Sequence, residues 1–135
     1  HPGRLVVITG GEPAMHDLTM LTAALKQSGC RIHIETSGSS ELTGHIDWVT
    51  LSPKKFKAPL TTALAAADEF KVVVFHPSDF EWANTMLSSL SATCKLYLQT
   101  EWSKKDKLTD SIIEYVKAHP EWHLSMQTHK YLQIP

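Results

Sequence analysis

Only two cysteines occur in the 135 residues, Cys30 and Cys94, far apart and in no C-x-x-C spacing. That rules out a C-x-x-C metal or redox pair, and both read as ordinary thiols. Two unpaired thiols suit a reducing cytoplasm, the expected location. An excess of either charge is also missing: 13 Lys and Arg against 14 Asp and Glu leave a formal net charge of −1. There is thus no electrostatic case for nucleic acid or an anionic membrane as partner. No apolar run approaches the ~20 residues needed to span a bilayer. No signal peptide, internal repeat or low-complexity tract is visible. The first residue is His1 rather than an initiator Met, and it stands directly against a strand-like run.

What is present is a regular alternation, read as a single domain over 1–135. Strand-like segments are Arg4–Ile8, Arg31–Glu35, Trp48–Leu51, Phe70–Phe75, Lys95–Gln99 and Trp122–Met126. Several are near-continuous apolar runs, which predicts strands buried on both faces of a parallel sheet. Helical patterns lie between them, at His16–Ser28, Pro59–Ala67, Ser78–Leu90 and Thr109–Ala118. The first carries Leu18, Leu21 and Leu25 on one face and stops at Gly29. The third opens on Ser-Asp, a plausible N-cap. The stretch Ser37–His45 is polar and Gly-containing, hence a loop with at most a helical turn. Strands alternating with helices imply an α/β fold with right-handed crossovers. Ligands bind such sheets beyond the C-terminal ends of the strands.

Those ends carry the polar motifs, which is a physical reason to expect one shared site. Thr9-Gly10-Gly11-Glu12-Pro13 follows the first strand. Paired glycines allow a tight turn and a close approach of ligand to backbone. Pro13 suits the first turn of a helix, so helix amides are expected at the strand mouth. Glu12 could grip a cationic amine or cap the helix. Glu35 and Ser37 end the second strand. Ser52 and Lys54 flank Pro53 at the end of the third, where Lys54 can reach a carboxylate as a point charge. Gln99 ends the fifth as a buried amide needing partners. His119 and His123 are four apart but straddle Pro120 and a strand start, so no zinc site is expected there. His33 reads as structural. Lys104, Lys105 and Lys107 form a basic loop that reads as a solubilising surface.

Glu35-Thr36-Ser37-Gly38, Ser52-Pro53-Lys54, Glu69-Phe70-Lys71, Leu98-Gln99 and Ser125-Met126-Gln127-Thr128-His129-Lys130 follow Thr9–Pro13 in order. Together these motifs closely resemble the 7-carboxy-7-deazaguanine synthase family of radical S-adenosylmethionine (SAM) enzymes, over nearly the whole chain. Thr-Gly-Gly-Glu-Pro points to the superfamily, and the S-x-Q-T-H-K ending narrows it to this family. The resemblance implies a parallel-sheet partial (β/α) barrel of the radical SAM type, incomplete at its N-terminus. Family members bind a [4Fe–4S] cluster through three clustered cysteines upstream of the first motif. The expectation is therefore the C-terminal portion of a longer enzyme, inactive alone, with an exposed sheet edge beside Arg4–Ile8.

The implied activity is that of a carbon–nitrogen lyase converting 6-carboxy-5,6,7,8-tetrahydropterin to 7-carboxy-7-deazaguanine in queuosine biosynthesis. Implied cofactors are SAM, the [4Fe–4S] cluster and Mg²⁺, the last two with no ligands in this chain. Thr9, Gly10, Glu12, Glu35, Ser37, Ser52, Lys54 and Gln99 are the cofactor-binding candidates. Gly11, Gln127, His129 and the terminal carboxylate of Pro135 are the candidates for the pterin. The tail Tyr131–Ile134 is apolar enough to pack back onto the sheet. The family usually continues Leu-Gln with Pro, where this chain has Thr100. An electron donor such as a flavodoxin and a homodimer are the expected partners. Two rival readings remain: a glycyl-radical-activating enzyme sharing the first motif, and a non-catalytic SAM-binding fragment.

Overall fold

A computed structural model of the chain describes residues 3–134. Six strands run β1 Leu5–Ile8, β2 Arg31–Thr36, β3 Trp48–Leu51, β4 Glu69–Val74, β5 Lys95–Thr100 and β6 Trp122–Ser125. Five helices lie among the described residues, with none between β2 and β3: α1 Thr19–Gln27, α2 Thr61–Ala65, α3 Ser78–Asn84, α4 Lys105–Ala118 and α5 Thr128–Tyr131. The strands are hydrogen-bonded in chain order, β1 to β6, without closing into a barrel. The α/β class expected from the sequence holds. The chain divides into two compact units, one built on residues up to Phe70 with Ser89–Cys94, the other on Lys71–Ser88 and the residues from Lys95 on.

In the first unit every pairing is parallel: Ile8 lies opposite Ile34, Ile34 opposite Val49, and Leu51 opposite Phe70. Two aspartates set this register. Asp47, just before β3, donates its amide to the Ile32 carbonyl (2.9 Å) and accepts the Ile32 amide on Oδ2 (2.7 Å). Asp68, just before β4, repeats the device on Val49, at 3.0 and 2.8 Å. A carboxylate thus extends each ladder by one bond where the strand has not yet begun. Since a slip of one residue would turn every side chain to the other face, these bonds select which residues are buried. Leu18, Ile34 and Val49 form the core there, with Ile8, Leu42 and Ile46 packed against them.

Burial alternates along β1, β2 and β4, whereas Val49, Thr50 and Leu51 of β3 are buried in succession, as are Leu98 and Gln99 of β5. Ile32, Ile34 and Thr36 of β2 are buried, whereas Arg31 and Glu35 are exposed. Leu5 and Val7 of β1 are about half exposed. The expectation that several strands are buried on both sides is therefore met in β3 and at the end of β5 and corrected for β1, β2 and β4.

The first expected helix also resolves differently. Pro13–Met15 is a single 3-10 turn, ended by His16 in extended conformation, and α1 starts only at Thr19. No long helix therefore aims its amides at the mouth of β1. The 37–45 segment is a strap with no helical turn. Leu18 donates to Thr43 Oγ1 (2.8 Å) and His45 to Thr22 Oγ1 (2.9 Å). Gly44, at φ +83°, passes so close that an added Cβ would lie 2.2 Å from Thr22 Oγ1.

In the second unit β5 and β6 pair in parallel, Leu98 opposite Leu124 and Gln99 opposite Ser125. Val72, Val74, Leu98, Leu108, Ile112 and Trp122 are buried, and Phe80 stacks on Tyr115 at 4.3 Å. The expected Ser-Asp cap of α3 is not made. Asp79, 2% exposed, instead accepts the amides of Phe75 and His76 ahead of the helix. The segment expected as one helix over Ser78–Leu90 is α3 followed by a 3-10 turn at Leu87–Ser89. The supposed basic loop is ordered: Glu101 caps a 3-10 turn at Trp102–Lys104 that runs into α4. No helix among the described residues is long and apolar enough to cross a membrane.

Asp68→Ala would leave the half-buried Val49 amide without its acceptor, at a cost of about 1–3 kcal/mol. Urea unfolding should show that loss. A stability equal to wild type would mean that packing alone holds the β3–β4 register.

Candidate functional site

The turn after β1 is open on one side. Gly10 has φ +91° and Gly11 φ +56°, both in the left-handed region that glycine enters without strain. A Cβ built on either would meet nothing within 4 Å. Thr9, Gly10 and Gly11 are all exposed. Nothing therefore crowds the backbone of this turn.

Glu12 faces inward from this turn. Its Oε1 accepts the Ala14 amide (3.1 Å), which caps the 3-10 turn, and the Thr36 hydroxyl (2.5 Å). Its Oε2 accepts the Ser37 amide (2.7 Å) and the Ser37 hydroxyl. A carboxylate offers about four acceptor positions, and all four are used within the chain. Partial burial pulls its pKa up, but the hydrogen bonds from Ser37, Thr36 and Ala14 outweigh that and hold it below the usual 4.5. Glu12 and Ser37 thus come together as two halves of one brace between the ends of β1 and β2. Thr36, missed among the sequence candidates, is its third member. The only signal for it was its place inside Glu-Thr-Ser-Gly.

Glu35 projects from the opposite face of β2 and is exposed. It lies in register with Thr50, and Thr50 with Glu69. Thr50 Oγ1 donates to Glu69 Oε2 (3.0 Å). These residues, with Arg31, His33 and Trp48, line a recess of about 300 Å³. His33 stacks on Trp48, and its Nε2 is buried without a hydrogen-bond partner.

At the end of β3 the Ser52 amide donates to the Thr36 carbonyl (2.7 Å). Pro53 is buried, and Lys54 Nζ reaches back to Ser52 Oγ at 3.4 Å. The two residues proposed to share a carboxylate are therefore neighbours in space as well as in sequence. A tight turn from Lys54 to Lys57 follows, with Phe56 at its exposed tip.

In the second unit Gln99 is buried, and Ser125 Oγ lies 3.4 Å from its Oε1. The strand continues through Thr100, which is where the usual Pro would have stopped it. Beyond β6, Gln127 is half-buried and precedes α5, a helical turn that the sequence reading did not anticipate. His129 is exposed on that turn. Gln127 borders an apolar groove of about 260 Å³ with Trp102, Ile113, Leu124, Met126 and Tyr131. The tail does not pack back as expected. Tyr131 meets Trp102 edge-on at 5.0 Å, but Leu132 and Ile134 are more than half exposed. Pro135 lies outside the described residues.

The cysteines do not fit an iron–sulfur cluster. Cys30 is buried, and burial, aided by Asp68 and Glu69, pushes the Cys94 thiol up to about 11. A ligating thiol must lose its proton. No group of three or more His, Cys, Asp or Glu among the described residues could hold a metal ion. His119 stacks on Tyr115 and faces Glu121, and His123 packs on Tyr97.

No family model matches the chain. Several curated proteins do, each named 7-carboxy-7-deazaguanine synthase. That of Flavobacterium psychrophilum is 46% identical over 132 residues, covering 98% of this chain and 63% of its own. That of Synechocystis sp. is 47% identical over 129 residues, covering 96% and 62%. That of Prochlorococcus marinus is 39% identical over 153 residues, covering 96% and 68%. The chain thus spans just over three fifths of the first two relatives. Among solved structures it resembles QueE from Escherichia coli, with a TM-score of 0.83 and 40% identity over 94% of this chain and 58% of that one.

Because Glu12 releases its proton more readily folded than unfolded, its brace is complete above about pH 5 and is lost as pH falls through the folded value. Several other carboxylates, Asp17, Asp47 and Glu101, are also held low, so wild-type stability alone does not isolate it. The gap in urea midpoint between wild type and Glu12→Gln does. It should be widest near pH 7 and narrow as pH falls below about 5. A gap independent of pH would contradict this account.

Proposed function

The chain belongs to the 7-carboxy-7-deazaguanine synthase family, and we propose that it is the part of such an enzyme that holds SAM and the pterin substrate. The complete enzyme would convert 6-carboxy-5,6,7,8-tetrahydropterin to 7-carboxy-7-deazaguanine, a radical SAM lyase reaction serving queuosine biosynthesis. The observation that carries the reading is the open glycine turn at Gly10 and Gly11, where nothing within 4 Å occupies the place of a side chain. SAM fits this surface. Its amino-acid end needs an acceptor for the ammonium and a donor for the carboxylate. The backbone of Thr9 and Gly10 supplies the first. With Glu12 saturated by internal bonds, its side chain braces the turn and leaves the ammonium to that backbone. Ser52 and Lys54, already 3.4 Å apart, supply the second. Glu35 takes the ribose hydroxyls, and Gln99 serves as a further polar contact to the cofactor.

Gly11, Gln127 and His129 are the proposed contacts to the pterin, whose edge offers mixed donors and acceptors suited to amide and imidazole. The terminal carboxylate of Pro135 belongs to the same proposal. When bound, SAM would supply the radical that abstracts a substrate hydrogen atom, and the protein's part is geometry and exclusion of water. The cluster and Mg²⁺ are assigned to no residue of this chain, and no step is derived through them. An external electron donor of the flavodoxin type, a homodimeric assembly and a cytoplasmic setting complete the proposal.

In the complete enzyme, Lys54→Ala should weaken SAM binding by about 1.5–3 kcal/mol, the size of a charge-assisted contact, and leave pterin affinity in place. Calorimetry with each ligand separates the two, and unchanged SAM affinity would remove Lys54 from the site. These 135 residues alone, treated anaerobically with iron and sulfide, should show no stable [4Fe–4S] signal by absorbance or EPR. A fully occupied cluster would refute the claim that its ligands lie elsewhere.

A further inference from the structure

Thr36 has no ligand-facing part in the reading above, yet it is 3% exposed and its polar atoms are engaged on several sides. Its hydroxyl accepts the Gly38 amide (3.0 Å). The single hydroxyl proton is therefore directed elsewhere, and it goes to Glu12 Oε1. Its carbonyl accepts the Ser52 amide (2.7 Å). One residue at the end of β2 is thus bonded to the turn after β1 on one side and to the turn after β3 on the other.

Gly38 keeps this arrangement in a single setting. It has φ +72°, and an added Cβ would lie 2.3 Å from Leu51 Cδ1 and 3.2 Å from Pro59 Cβ. Its carbonyl accepts the Leu60 amide (2.8 Å). The donor that orients the Thr36 hydroxyl is consequently wedged between β3 and the segment leading into α2. A hydroxyl with a fixed donor behind it and a saturated carboxylate ahead of it has one rotamer and one proton direction.

We propose that Thr36 is a positioning residue for SAM. It sets the separation between the glycine turn that would take the ammonium and the Ser52–Lys54 turn that would take the carboxylate. This rests on the reading of those two turns as the SAM amino-acid site. The distance between ammonium and carboxylate in an amino acid is fixed by covalent geometry, so two subsites on separate strands must be held at that distance before the ligand arrives. Thr36 reaches both through bonds to the intervening strand end. It would touch no ligand atom itself.

The test is Thr36→Val, which keeps the β-branched shape and removes the hydroxyl, beside Thr36→Ser, which keeps the hydroxyl. In the complete enzyme, Thr36→Val should raise the dissociation constant for SAM about tenfold, the worth of one hydrogen bond. Pterin affinity should stay within twofold, and Thr36→Ser should restore SAM binding. Amide hydrogen exchange of Ala14, Ser37 and Ser52 should quicken in Thr36→Val and not in Thr36→Ser. If Thr36→Val does not fold, Glu12→Gln, which weakens the same bond from its other end, should give the same selective loss of SAM affinity. Wild-type SAM affinity with unchanged exchange in Thr36→Val would overturn the proposal, as would equal losses for both ligands. If the wild-type enzyme itself fails to bind SAM, the proposed function falls. Amide exchange then still decides whether Thr36 ties the three turns together.

Discussion

One carboxylate, that of Glu12, carries the arrangement on which the candidate site depends. Parallel strands end at the same side of a sheet, but nothing in strand pairing fixes the loops beyond those ends. Glu12 does so by accepting four hydrogen bonds from two segments, two on each of its oxygens. The charge stays ionised because dipoles of amides and hydroxyls converge on it. The open glycines beside it can then be conformationally permissive without being loose.

The same economy recurs lower in the sheet. Asp47 and Asp68 each stand one residue before a strand and complete the ladder of the preceding one. Aspartate is short enough to mimic a backbone carbonyl at that position and polar enough to end the strand's apolar pattern. Register is thereby settled at the N-terminal ends by Asp and at the C-terminal ends by the Glu12 brace. What lies between can be selected for burial on one face and for polar chemistry on the other. Glu35, Thr50 and Glu69 share that second face because register puts them in one row.

Much of this was legible in the residues. The strands were placed to within one residue at either end, because continuous apolar runs flanked by Gly, Pro and Ser leave few alternatives. The strand-end motifs stood out as candidates because ligands bind such sheets beyond the C-terminal ends of the strands. Other features were not legible. His16 looks like a helix start by periodicity, yet its extended backbone separates the Pro13 turn from α1. The Lys104–Lys107 run reads as a loop by charge, but Glu101 caps it into helix. Thr128–Tyr131 is too short a helix for periodicity to detect.

The sequence by itself determined the class of fold, the order of its elements and the family to which the motifs belong. Those follow from local pattern: apolar runs, turn residues and side chains of distinctive chemistry at strand ends. Only the tertiary structure decided what each polar group does. Glu12 has the same local neighbours whether it grips a ligand or braces a turn. The difference lies in Thr36 and Ser37, more than twenty residues away, whose donors reach it only once β1 and β2 are paired. Thr36 likewise has no distinguishing local signature. Its role comes from contacts on three strand ends at once, and hydrogen bonding between distant segments is set by register, which no local pattern encodes.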